Sequence, residues 1–151
     1  MLLNHEFYIN KVLDLAEDQL AQCVIDVPVA SLIVCEDDII AVGTNTREQC
    51  KSILGHAEIN ALEAAARSKG SWNLSDCTIY VSLEPCAMCA GAILQAHIKN
   101  IVFSAYDSKS GALGSRYNLI TNETCVIGGI CEERAVSILK RFFVNKRLDL
   151  S

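Results

Sequence analysis

Apolar residues recur along this chain with two alternating periods. Residues 5–21 carry Phe7, Val12, Leu15, Ala16 and Leu20 at a spacing near 3.6, which predicts a helix. Residues 29–35 and 39–44 are apolar runs separated by the acidic Glu36-Asp37-Asp38, the pattern of a hairpin. The polar stretch 45–55 predicts a loop. Residues 57–68, rich in Ala, Leu and Glu, predict a helix that stops before Gly70. A β-branched apolar run at 77–83 predicts a buried strand, followed by a helix at 87–96 and another strand at 101–105. The polar segment 107–115 reads as a loop and 124–130 as a last strand. Residues 132–147 read as a last helix, with Val136, Leu139, Phe142 and Phe143 on its apolar side.

The resulting order, α-β-β-α-β-α-β-β-α, predicts an α/β fold: three α/β/α layers around a mixed five-stranded sheet. The helix at 87–96 is apolar nearly all round, so a second covering surface is expected outside the sheet, a partner subunit being the obvious candidate. With 151 residues the chain is expected to form one domain, residues 1–151. Hydrophobic residues make up 51% and charged residues 21%, which excludes a disordered or linker-rich chain. No apolar run approaches membrane-spanning length, and residues 1–10 lack the pattern of an export signal. A cytoplasmic protein is therefore expected.

Eight cysteines fit neither a secreted disulfide scaffold nor its small size. Cys35, Cys77 and Cys125 lie in strand-like runs and read as small buried hydrophobes. Cys86 and Cys89 differ, because three-residue spacing puts both sulfurs on one face of a helix's first turn. A helix N-terminus favours thiolates there. His56 also stands just ahead of a helix, and two thiolates with an imidazole are a donor set zinc selects. A redox dithiol has the same Cys-x-x-Cys spacing but no use for His56-Ala57-Glu58. A closed structural zinc site would need a fourth ligand from His97 or a scattered cysteine. Three clear ligands predict an open site and one zinc ion per chain. Glu58 alone would pass for a helix-start glutamate. Two residues after a zinc-type histidine, it reads as a proton shuttle.

His-x-Glu followed by Pro85-Cys86-Ala87-Met88-Cys89 resembles the zinc-dependent nucleoside and base deaminases. The likeness extends through Thr78-Ile79-Tyr80-Val81-Ser82-Leu83-Glu84 and Ala90-Gly91-Ala92-Ile93. Ala105-Tyr106-Asp107, Gly111-Ala112-Leu113-Gly114-Ser115, Gly128-Gly129 and Phe142-Phe143 continue it. In these stretches the chain is similar to the bacterial tRNA-specific adenosine deaminases of the cytidine/deoxycytidylate deaminase superfamily. That resemblance implies a cytidine deaminase-like fold, a homodimer, and conversion of adenosine to inosine at the wobble position of a tRNA anticodon stem-loop. It implies zinc on His56, Cys86 and Cys89, with Glu58 moving protons. It also places Asn45 against the base, Asp107 and Lys109 beside the anticodon, and Phe142 and Phe143 on a helix reaching toward RNA. Read without the resemblance, Asn45 is equally a turn residue, and one of the two phenylalanines equally a core residue.

Two features bear on the substrate. The family usually has Pro-Val-Gly-Ala where this chain has Pro28-Val29-Ala30-Ser31, which predicts a larger residue and a hydroxyl near the pocket floor. Charge is uneven: residues 1–98 hold 5 Lys/Arg against 13 Asp/Glu, whereas residues 99–151 hold 8 against 5. The net of −5 makes non-specific nucleic-acid binding poor and DNA an unexpected partner. Lys140, Arg141, Lys146 and Arg147 are a candidate RNA-facing group, or simply the solvated face of a last helix. The alternative activity is free-base deamination of cytosine or guanine, which uses the same motif.

Overall fold

The computed structural model describes residues 2–22 and 25–150; Cys23 lies outside them. Helix α1 (Leu2–Ala21) leads into the antiparallel pair β1 (Ala30–Cys35) and β2 (Asp38–Thr44). A short helix α2 (Arg47–Cys50) interrupts the predicted loop, and α3 (Ala57–Lys69), β3 (Cys77–Leu83) and α4 (Ala87–Gln95) follow. The chain ends with β4 (Asn100–Ala105), β5 (Cys125–Ile127) and α5 (Glu132–Leu150). No described helix is long and apolar enough to cross a membrane.

The five strands form one mixed sheet in the order β2-β1-β3-β4-β5. β1 runs antiparallel to both neighbours, while β3, β4 and β5 run parallel. Strand alternation sorts side chains between two apolar layers. Ile33, Ile79, Val81, Ile101 and Phe103 pack with Ala61, Ala65, Ala90 and Ile93 of α3 and α4. Leu32, Val34, Tyr80 and Val102 pack with Ile9, Val12, Leu13 and Ile138 of α1 and α5. Helices thus cover both faces. Each fully buried Ile or Leu contributes about 1.5–3 kcal/mol by leaving water.

Several details depart from the sequence pattern. Val12 and Ala16 of α1 are buried as the spacing predicts, but Phe7 is 54% exposed and Tyr8, Ile9 and Leu13 complete the buried face. Cys77 is buried as expected, but Cys35 is half-buried and Cys125 exposed on the edge strand β5. On α5 the core positions are Ala135, Ile138 and Phe142, whereas Phe143 is exposed.

Topology sets where the open end of the sheet lies. β3 and β4 are parallel, so both finish at one edge; β1 begins there and β2 finishes there. Segments that leave the sheet at this edge are free to carry polar groups. Helix α3 reaches the same edge by lying against β2 at Gly43, where a Cβ would collide with the Ala57 carbonyl and lie 2.6 Å from the Ala61 nitrogen. Gly43→Ala is therefore expected to cost about 1–3 kcal/mol, since backbone must move to admit it. Urea denaturation of the variant beside the parent chain measures this.

Candidate active site

Two helices start at that edge, and each start carries a donor. His56 is the N-cap of α3, in extended conformation with φ −85° and ψ 150°. Cys86 is the N-cap of α4 and Cys89 lies one turn further on. Neither cap residue spends its side chain on the helix, so both point elsewhere. His56 Nδ1 lies 3.6 Å from Cys86 Sγ and 3.5 Å from Cys89 Sγ. The three donors form a cluster able to hold a metal ion. Tetrahedral zinc with bonds of about 2.3 Å to sulfur and about 2.0 Å to nitrogen needs N···S edges of about 3.5 Å, which the observed spacings match.

Protons are shared unequally within the cluster. A hydrogen bond from Cys89 stabilises the Cys86 thiolate and lowers its pKa to about 4, with burial opposing and the bond to His56 assisting. Cys89 is pushed up for the complementary reason, its proton being held by Cys86. His56 is raised, chiefly by its bond to Cys86. Glu58 follows on the first turn of α3 and is 5% exposed. Burial lifts its carboxyl to about 7, opposed by hydrogen bonds to backbone and to Cys89.

These groups open into a cavity of about 460 Å³ whose wall includes His56, Glu58 and Cys86. One flank is Val27, Val29, Asn45 and Arg47; the other is Tyr106–Ser110; Leu139 and Phe143 of α5 stand across the mouth. Of the residues proposed from sequence to meet substrate, Asn45, Asp107, Lys109 and Phe143 line this space. Phe142 does not. It is 7% exposed on the inner side of α5, a hundred degrees round the helix from Phe143. Ala30 and Ser31 are also away from the cavity, fully buried within β1. Ala30 packs toward α1, and the Ser31 hydroxyl is buried without a hydrogen-bond partner among the described residues. The larger residue and hydroxyl expected at the pocket floor are therefore not there, and Val27 and Val29, which precede the strand, line the cavity instead.

The flanks are held by their own polar contacts. Asn45 donates to the Val27 carbonyl (3.2 Å) and accepts from the Arg47 amide (3.1 Å), leaving one N–H and one lone pair for a ligand. Asp107 accepts from the Lys109 and Ser110 amides at 3.0 and 3.3 Å and from the Ser110 hydroxyl at 2.9 Å, folding its own loop. Two buried carboxylates escaped the sequence reading as structural anchors. Asp26 accepts from the Glu48 amide (2.6 Å) and from the amide and side chain of Gln49 (3.2 and 3.0 Å), which fixes α2. Glu84 binds the opposite loop. A lone acid in the apolar run 77–94 was the available signal for Glu84; Asp26 had none.

The profile of the MafB19-like deaminase family matches residues 3–147. The tRNA-specific adenosine deaminase of Bacillus subtilis is 37% identical over 127 residues, covering 81% of this chain and 79% of that protein. A solved structure from studies of A-to-I editing by tRNA deaminases at the wobble position of transfer RNA superposes with a TM-score of 0.78 at 29% identity. That alignment covers 85% of this chain and 95% of the other. The guanine deaminase of Bacillus subtilis superposes at 0.66 with 32% identity, covering 74% and 70%.

The shared-proton arrangement has a chemical signature. With a chelator present, alkylation of Cys86 by iodoacetamide is expected to be nearly independent of pH from 5.5 to 8. An ordinary thiol should speed up about tenfold per unit in that range, since its thiolate fraction is still rising. Peptide mapping by mass spectrometry measures the rate, and added zinc should abolish it.

Proposed function

The chain belongs to the MafB19-like deaminase family, and from that premise we propose that it deaminates adenosine to inosine at the wobble position of a tRNA anticodon. The observation that carries this reading is a buried Glu58 beside a three-donor cluster, on the wall of a cavity large enough for a purine. One zinc ion per chain fits the cluster, held by His56, Cys86 and Cys89. The chemistry zinc supplies when bound is acidification of water to a nucleophile at neutral pH.

The chain's own residues do the rest. Glu58 titrates near neutrality because it is buried, so it can both take a proton and give one up. Its place on the first turn of α3, beside the three donors but not one of them, suits it to pass that proton toward the departing ammonia. Asn45 offers its spare N–H and lone pair to the base edge. Val27 and Val29 supply apolar wall, and Leu139 and Phe143 shield the mouth from water. Asp107 and Lys109 present their loop to the neighbouring nucleotides.

A free-base deaminase is the second reading, supported by the likeness to guanine deaminase. Phe143 favours the RNA. It is 45% exposed at the cavity mouth, and Lys140, Lys146 and Arg147 share its surface hollow. An exposed ring flanked by cations suits a splayed base with its phosphates. Arg141 is less available, because it pairs with Glu17 of α1 at 3.3 Å. We further propose a cytoplasmic homodimer. Ile53 and Leu54 are 84% and 58% exposed beside the cluster's histidine, and α4 leaves Ala87 exposed and Met88 partly covered.

Purified protein incubated with anticodon stem-loops is expected to release ammonia and form inosine, and to turn over free guanine or cytosine more slowly. Faster free-base turnover would reject the tRNA assignment. Glu58→Ala should retain one zinc by elemental analysis and lose about 10²–10⁴ of its rate. Cys86→Ser or Cys89→Ser should lose the metal itself. Sedimentation should give twice 16.5 kDa, and a monomer at micromolar concentration would remove the dimer.

A further inference from the structure

Glu84 sits between the end of β3 and the helix start that carries Cys86, and only 2% of it is exposed. Its carboxylate is surrounded by donors from a single remote segment. The Asp107 amide donates to Oε1 at 3.2 Å, and the Ser115 hydroxyl donates to the same oxygen. The Leu113 and Ser115 amides donate to Oε2 at 2.9 and 3.2 Å. Backbone bonds run alongside: Glu84 N–H to the Ala105 carbonyl at 2.8 Å, and Ala112 N–H to the Pro85 carbonyl at 2.8 Å. Gly111 leaves room for the carboxylate, because a Cβ there would lie 2.5 Å from Oε2. The segment 107–115 is wrapped around one buried side chain.

That segment carries one flank of the cavity. Lys109 and Ser110 reach it from a turn closed by Asp107, and the Asp107 amide is itself held by Glu84. We propose that Glu84 is a positioning residue for the deamination reaction. It sets the substrate-facing loop at a defined height above the helix start that bears Cys86. The proposal rests on the deaminase reading of the cavity. Glu84 touches neither substrate nor metal; it acts through the loop, so its effect belongs to substrate binding more than to the chemical step.

The chemistry of the side chain makes it testable by an isosteric change. In Glu84→Gln one oxygen becomes an NH₂ group, which faces two backbone amides if it replaces Oε2, or the Asp107 amide and a Ser115 hydroxyl able to turn and accept if it replaces Oε1. In either orientation the loop loses at least one backbone-amide contact while the volume stays filled. Fold by circular dichroism and zinc content should match the parent chain. KM for an anticodon stem-loop should rise about tenfold or more, with kcat within about threefold, since misplacing a contact loop by even 1 Å is costly. Hydrogen exchange should accelerate at the Asp107, Leu113 and Ser115 amides and stay unchanged in α3 and α4. An unchanged KM, or exchange that accelerates uniformly across the sheet, would overturn the proposal.

If Glu84→Gln does not fold, Ser115→Ala decides. It removes one of four donors and should raise KM about two- to fivefold, with faster loop exchange. Parent-like values for both would overturn the role of Glu84. Failure of the parent chain to deaminate the stem-loop would instead remove the tRNA reading. The exchange measurement would still judge the anchor.

Discussion

His56 Nδ1 touches two sulfurs at 3.5 and 3.6 Å, and that contact exists only because two helices begin over the same end of the sheet. Each helix start brings unpaired N–H groups and partial positive charge, which offsets the cost of a thiolate away from water. The contact in turn depends on how closely α3 can lie on β2. Gly43 permits that approach, and any side chain there would lift His56 and Glu58 together. Parallel β3 and β4 then bring Pro85-Cys86 and Tyr106-Asp107 to the same edge, so donors and cavity wall share one origin.

The walls themselves are polar devices more than apolar packing. Asp26 holds α2 on one flank and Glu84 holds the segment 107–115 on the other, each carboxylate buried and each accepting from several donors. A buried carboxylate without such partners would be costly; with several, it fixes a loop's position more sharply than apolar contact, because each bond has a direction. The two loops are thereby held beside the His56, Cys86 and Cys89 cluster without closing the cavity.

Charge on α5 is divided between assembly and exposure. Arg134 binds Asp14 at 2.6 Å and Glu17 at 3.4 Å, and Arg141 binds Glu17, so the first half of α5 is tied to α1. These pairs are partly exposed and each contributes little, yet they orient the helix. Phe142 turns inward on that helix while Phe143 turns toward the cavity mouth, with Lys140, Lys146 and Arg147 around it. An acidic protein can thus present a small cationic rim at the one place where an anionic substrate would approach.

Periodicity and spacing alone determined the element order apart from α2, the layered architecture and the grouping of His56, Cys86 and Cys89. Those properties are local: a helix start puts residues three apart on one face, and strand alternation sorts side chains by face. Glu58 followed from its place two residues after His56, and the family resemblance added the substrate class. The helical face that α1 buries, the inward turn of Phe142 and the exposure of Cys125 were decided elsewhere. Each depends on which neighbour covers the residue, and a single apolar position carries no record of that. Asp26 and Glu84 show the limit most clearly. Their donors lie 22 to 31 residues away, and an acidic residue looks the same in sequence whether it faces water or a ring of amides. Only the folded chain, by bringing those amides to a desolvated carboxylate, turned each from a surface charge into an anchor of the site.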